Sequence, residues 1–105
     1  MLIKHLTGGL NVLSTPSLIA YMEHVCFEWL EIQLNDELTS VGIQMNMNHL
    51  KPIKVSEKIT ISSEVIEQTE RKITFNCQAC HHDQTIATAV HTRVIVNKSK
   101  FLEKI

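Results

Sequence analysis

Residues 16–33, PSLIAYMEHVCFEWLEIQ, decide the fold because they form the longest segment with helical periodicity. Apolar residues recur there at three-and-four spacing, which predicts one buried stripe along a helix. The stripe consists of Leu18, Ile19, Met22, Val25, Cys26, Trp29 and Leu30. Thr15 is predicted to be the N-cap and Pro16 the first helical residue. Asn35 and Asp36 are predicted to end the helix.

The rest of the chain predicts four strands, at 39–49, 57–68, 71–81 and 84–96, with a short closing helix at 98–105. Residues alternate with period two in each strand, as expected for a sheet with one buried face. In the first strand, Val41, Ile43, Met45, Met47 and His49 share one predicted face, opposite Gly42, Gln44, Asn46 and Asn48. Short connections make neighbouring strands antiparallel. The predicted class is therefore α+β, with one long helix packed on an antiparallel sheet.

One helix covers only one face of such a sheet. The second face of strand 39–49 is rich in amides rather than charges, so we expect it to meet another subunit or a ligand. An uncovered face and an exposed edge strand together predict a homodimer.

Composition excludes several classes of function. The chain has 105 residues, 44% of them hydrophobic, and a formal net charge of −1, which predicts one globular domain over residues 1–105. A basic stripe is not visible, so a nucleic-acid binder is not expected. The sequence contains no apolar run long enough to cross a membrane and no signal peptide, which predicts a cytoplasmic protein with reduced cysteines.

Cys77, Cys80 and His81 match a short haem-attachment string, and with His82 they suggest zinc. On a strand, however, residues three apart point to opposite faces, so the two cysteines are not expected to share a metal. Haem attachment would also need export. We therefore expect neither a metal nor a cofactor, and a metal or haem binder is the remotest of the alternatives.

Four other residues each allow a structural and a functional interpretation. Thr15 either caps the helix or uses the helix start to stabilise an anion. Glu23, at the edge of the apolar stripe, is either a solvated flank or a carboxylate at a pocket rim. His49 is either a satisfied edge histidine or a proton-transfer group. Gly42 marks a bulge or a close approach of backbone to ligand, where its N–H donates to a carbonyl.

Five motifs carry a resemblance to a known family: VLSTP at 12–16, MEHVC at 22–26, SVG at 40–42, HLKP at 49–52 and HTR at 91–93. In order and spacing they resemble the hot-dog-fold thioesterases of the fluoroacetyl-CoA thioesterase-like group, over about residues 12–105. The resemblance implies a hot-dog homodimer that hydrolyses the thioester of a small or medium acyl-CoA. It also implies that Thr15, Glu23 and His49 are catalytic and that the backbone of Gly42 contacts the substrate.

The sequence departs from the family pattern at its start. Only eleven residues precede Val12, so the N-terminal strand is expected to be shortened or missing, and Gly9 stands near the position of an aromatic lid residue. Two alternatives remain open. One is a non-catalytic hot-dog dimer that binds CoA-like ligands, and the other is a dehydratase, for which the Asp/His pair of a hydratase motif is not found.

Helix geometry sets a condition on this catalytic set. Thr15 and Glu23 are eight residues apart, about 12 Å along a helix, so they cannot touch on one straight helix. Either Thr15 lies on a loop that folds back, or the site combines residues of two subunits.

Overall fold

A computed structural model describes residues 13–105 as one long helix followed by four strands and a short helix. The helix α1 spans Thr15–Gln33, and the strands are β1 (Leu38–His49), β2 (Thr60–Gln68), β3 (Lys72–His81) and β4 (Gln84–Asn97). The closing helix α2 spans Lys98–Glu103. All six predicted elements are confirmed. The expectation that the N-terminal strand is shortened or missing, and the position of Gly9, concern residues outside the described ones.

The four strands form one antiparallel sheet in the order β1-β4-β3-β2. β4 is central although it is last in sequence, and β1 is an edge strand. α1 packs across one face of the sheet. In the part of the chain that the structure describes, no helix is long and apolar enough to cross a membrane.

A bulge in β1 corrects the predicted faces of that strand. Gly42 pairs with Arg93, and the register shifts before Gln44 pairs with Thr92, so Ile43 is the extra residue. Cross-strand partners share a face. Gly42 therefore lies on the same face as Met45, Met47 and His49, whereas the alternation had placed it opposite them. The expectation that Gly42 marks a bulge is confirmed.

The core lies between α1 and the inward face of the sheet. From the helix it contains Leu18, Met22, Cys26 and Leu30, as predicted, and also Tyr21. Trp29, which was predicted to be in the stripe, is 43% exposed and packs edge-on against Phe75 at 6.0 Å between ring centroids. From β3 the core takes the predicted set Ile73, Phe75, Cys77 and Ala79.

The three cysteines are free. Cys26 and Cys77 are buried with their sulfurs 3.6 Å apart, and the hydrogen bond with Cys26, followed by burial, raises the pKa of the Cys77 thiol. Cys80 lies away from them, with its sulfur 3.9 Å from the hydroxyl of Thr85. The opposite orientations of Cys77 and Cys80 follow the strand geometry that the sequence predicted.

The start of α1 differs from the prediction by one residue. Ser14, not Thr15, is the N-cap: its side chain accepts a hydrogen bond from the Ser17 backbone N–H at 3.2 Å. Thr15 is the first helical residue, next to Pro16. Because Ser14 satisfies the helix end, the Thr15 hydroxyl is available for another partner.

Candidate active site

Thr15 and His49 form one half of the candidate site. The hydroxyl of Thr15 and Nδ1 of His49 are 2.9 Å apart, which joins the first turn of α1 to the last residue of β1. The Nε2 atom of His49 is buried and has no hydrogen-bond partner among residues 13–105. A buried nitrogen without a partner is costly, which marks this half of the site as incomplete among the described residues.

Glu23, eight residues after Thr15 on α1, and Gly42, on β1, form the other half. They line an open recess of about 290 Å³ together with His24, Phe27 and Arg93. A Cβ atom at Gly42 would be 3.3 Å from a carboxylate oxygen of Glu23 and 3.0 Å from Cε1 of His91. The backbone of Gly42 therefore approaches the Glu23 carboxylate closely, and its predicted contact with a ligand stays a prediction.

Arg93 is the residue of this half that the analysis of the sequence left without a role. It is 7% exposed, and its guanidinium donates to the Ser40 hydroxyl at 2.8 Å and to the Ser40 carbonyl at 3.0 Å. It also lies 5.5 Å from the centre of the Phe27 ring. Burial lowers the pKa of Arg93, whereas the nearby Glu23 charge acts in the opposite direction. The arginine still remains charged at neutral pH because its ordinary pKa is so high.

His91 is a buried hydrogen-bond partner of Arg93. It is fully buried, with Nδ1 2.8 Å from the Gln44 carbonyl oxygen and Nε2 3.1 Å from Nη1 of Arg93. Only Nδ1–H can donate to a carbonyl, so Nε2 accepts from the guanidinium and His91 is neutral. Burial also lowers the pKa of His91. The sequence left open whether His91 faces inward, and its pairing with Met45 and Phe75 shows that it does.

Among residues 13–105 the Glu23 carboxylate has no ion-pair partner. Within residues 13–105 the ion pairs are His24–Glu28 and His81–Glu57. A carboxylate that faces a recess beside a fixed positive charge is available as a base or nucleophile. A larger groove of about 490 Å³ lies beside α2 and includes none of these residues.

The two halves do not meet within one chain. Thr15 and Glu23 both belong to the continuous helix α1, which keeps them about 12 Å apart along its axis. A loop position for Thr15 is therefore excluded. The structure brings Thr15 to His49 and brings Glu23 to Gly42 and Arg93.

Comparisons with solved structures identify the class of the fold. Over 89% of this chain and 69% of the other, the structure is similar to the fluoroacetyl-CoA thioesterase FlK, with a TM-score of 0.83 at 20% identity. A hot-dog-like protein from Thermanaerovibrio acidaminovorans matches over 90% and 70% of the two chains, with a TM-score of 0.85 at 20% identity. A thioesterase from Haemophilus influenzae matches over 87% and 64%, with a TM-score of 0.77 at 20% identity. The fold is thus a hot-dog fold, as predicted.

Family membership is shown by the sequence as well. Residues 1–99 match the model of the fluoroacetyl-CoA-specific thioesterase family, and no curated protein sequence matches the chain. The chain belongs to this family and is a thioester hydrolase that acts on acyl-CoA.

Proposed function

We propose that this protein hydrolyses the thioester of a small or medium acyl-CoA at a site shared by two copies of the chain. The observation that carries the proposal is the separation of the two halves, Thr15–His49 and Glu23–Gly42–Arg93, along one helix. Hydrolysis needs a base or nucleophile, a proton shuttle and a donor for the developing oxyanion. Neither half contains all three.

A second copy supplies what each half lacks. A C₂ dimer repeats every contact between its two chains, so it has two equivalent sites. At each site, Thr15 and His49 of one copy meet Glu23 of the other. Exposed Ile43 on the edge strand β1 is consistent with such a contact. An apolar edge strand is a surface that a dimer would cover.

The roles follow from the chemistry of each side chain. Glu23 acts as nucleophile or as the base that activates water, next to the Arg93 guanidinium. Its carboxylate either takes a proton from the attacking water, or attacks the thioester carbonyl itself, which breaks the C–S bond, releases CoA thiolate and leaves an anhydride that water then hydrolyses. The Gly42 backbone N–H donates to the oxygen on which negative charge develops. His49, held by Thr15, protonates the departing CoA thiolate or orients the water.

Hydrolysis of a panel of short and medium acyl-CoA thioesters tests this function, with thiol release followed in a colorimetric assay. Turnover of at least one thioester is expected, together with a scattering mass of about twice the 12.0 kDa chain. A dimer that binds CoA but hydrolyses no thioester in the panel would instead support the non-catalytic module.

A further inference from the structure

A second group of chemically reactive side chains lies away from this site, at the tip of the β3–β4 hairpin. Glu57 belongs to the segment between β1 and β2, His81 ends β3, and His82 follows in the turn. Their ligand atoms, one from each residue, all lie within 4.8 Å of one another. The sequence predicted no metal here because it gave no sign of Glu57 beside the two histidines, and we propose instead that Glu57, His81 and His82 form a binding site for a divalent transition-metal ion.

The distances suit a metal centre. Nε2 of His81 and Oε2 of Glu57 are 3.3 Å apart, and the rings of His81 and His82 are 4.1 Å apart between centroids. Ligand atoms bound at about 2.1 Å in a tetrahedral centre lie about 3.4 Å from each other. The His81–Glu57 pair already has this spacing. The exposed ring of His82 can reach the same spacing by a change of side-chain rotamer.

The turn brings the two histidines together. Neighbouring residues on a strand point to opposite faces, which would separate the two rings. His82 and Asp83 instead adopt positive φ angles of 48° and 62°. This left-handed conformation at both central positions of a two-residue turn is favoured by asparagine, aspartate and glycine, and histidine is also enriched in it. The turn thus sets His82 beside His81.

The ligand set indicates the class of metal. Two imidazoles and one carboxylate suit zinc, cobalt or nickel, whereas magnesium and calcium prefer oxygen ligands alone. His81 is partly buried, with 18% of its side chain exposed, against 43% for Glu57. Three protein ligands leave further coordination positions to water or to a small ligand.

Bound metal would join two segments that are 24 residues apart in sequence. Glu57 lies in the segment that directly follows His49, and backbone hydrogen bonds from Leu50 and Lys51 to Ile86 already attach the start of that segment to β4. The metal would fix the far end of the same segment to the hairpin. Metal bound only by the folded chain stabilises it.

The test is calorimetric titration of the untagged full chain with zinc, nickel, cobalt and magnesium salts. One zinc, nickel or cobalt ion per chain is expected to bind, and magnesium is not. His82→Ala and Glu57→Gln should each weaken zinc binding at least about tenfold, since loss of a direct ligand costs no less than loss of an outer-shell partner. The absorption spectrum of bound cobalt reports the coordination geometry independently of enzyme activity.

Two control variants make the result decisive. His24 and Glu28 form an exposed pair with 2.8 Å between Nε2 and Oε1, but among the described residues this pair has no third ligand. His24→Ala should therefore leave zinc binding unchanged. Cys80→Ser should also leave it unchanged. Zinc binding that survives His82→Ala and Glu57→Gln, disappears with Cys80→Ser, or is absent from the wild type would overturn the proposal. The hydrolysis of acyl-CoA does not depend on any of these outcomes.

Discussion

The two halves of the candidate active site are built in different ways. Around Arg93, the guanidinium has partners in Ser40 and His91, and His91 has one in Gln44, so this half is held rigidly by one chain. At the other half, Thr15 and His49 share one hydrogen bond, and Nε2 of His49 has no partner among the described residues. Among the described residues, the Arg93 half has its hydrogen-bond partners, whereas the His49 half keeps one buried nitrogen without a partner.

The largest expected effect comes from removing the proposed catalytic group of either half. Glu23→Gln and His49→Ala should each lower kcat for acyl-CoA hydrolysis by about 10²-fold or more, as is usual for general acid–base residues. The measurement is steady-state kinetics on the best substrate of the panel. Glu28→Gln, an exposed change on the same helix, is the matched control and should keep wild-type turnover. Wild-type turnover in both Glu23→Gln and His49→Ala would contradict the assignment.

Mixing the two inactive variants shows whether the halves come from different chains. In a random mixture of Glu23→Gln and His49→Ala, half of the dimers are mixed and each has one intact shared site, so about a quarter of wild-type activity returns. The chains must be refolded together or co-expressed to exchange. A mixture as inactive as its components would show that each site uses Glu23 and His49 of the same copy.

The rigid half predicts a loss of stability when His91 is replaced. His91→Phe keeps a ring but leaves the Gln44 carbonyl and one Arg93 N–H without partners. Each unsatisfied buried group costs about 1–3 kcal/mol, so the free energy of unfolding should fall markedly in urea titrations. KM should rise as well, because Arg93 loses its fixed position. His24→Phe on the exposed surface of α1 is the control for stability alone, because His24 also lines the recess. Equal stability of the two variants would show that His91 does not hold Arg93.

The same histidine predicts how stability depends on pH. Burial lowers the pKa of His91 in the folded chain, so below the ordinary histidine pKa the unfolded chain binds more protons than the folded one. The contribution of His91 is complete above that ordinary pKa and is lost as the pH falls towards the lowered value. Wild type should therefore lose more stability than His91→Phe between about pH 7 and pH 5. Parallel losses in the two proteins would refute this.

The smallest effect is expected at Thr15. Thr15→Val keeps the shape of the side chain and removes the hydrogen bond to His49, which should lower kcat about tenfold and stability by about 1 kcal/mol. Thr15→Ser keeps the hydroxyl and should stay near wild type. Because Ser14 is the helix cap, a large stability loss in Thr15→Val would mean that Thr15 contributes to the helix start after all.

The sequence by itself determined the elements of this protein. Helical spacing gave α1, alternation gave the four strands, and five short motifs gave the family, because these signals are local. Gly42 signalled the bulge in β1, but the sequence did not show how the bulge changes the two faces of the strand. One extra residue moves every later side chain to the opposite face, and only the pairing with β4 shows where that residue lies.

Only the tertiary structure decided which polar residues meet. His91 and Arg93 come from the central strand, and Ser40 and Gln44 from its neighbour, about fifty residues away in sequence. Glu57, His81 and His82 likewise come together through a loop and a turn. No spacing rule predicts such contacts, because strand order and register follow from how the whole core packs, whereas periodicity records only the side on which each residue is buried.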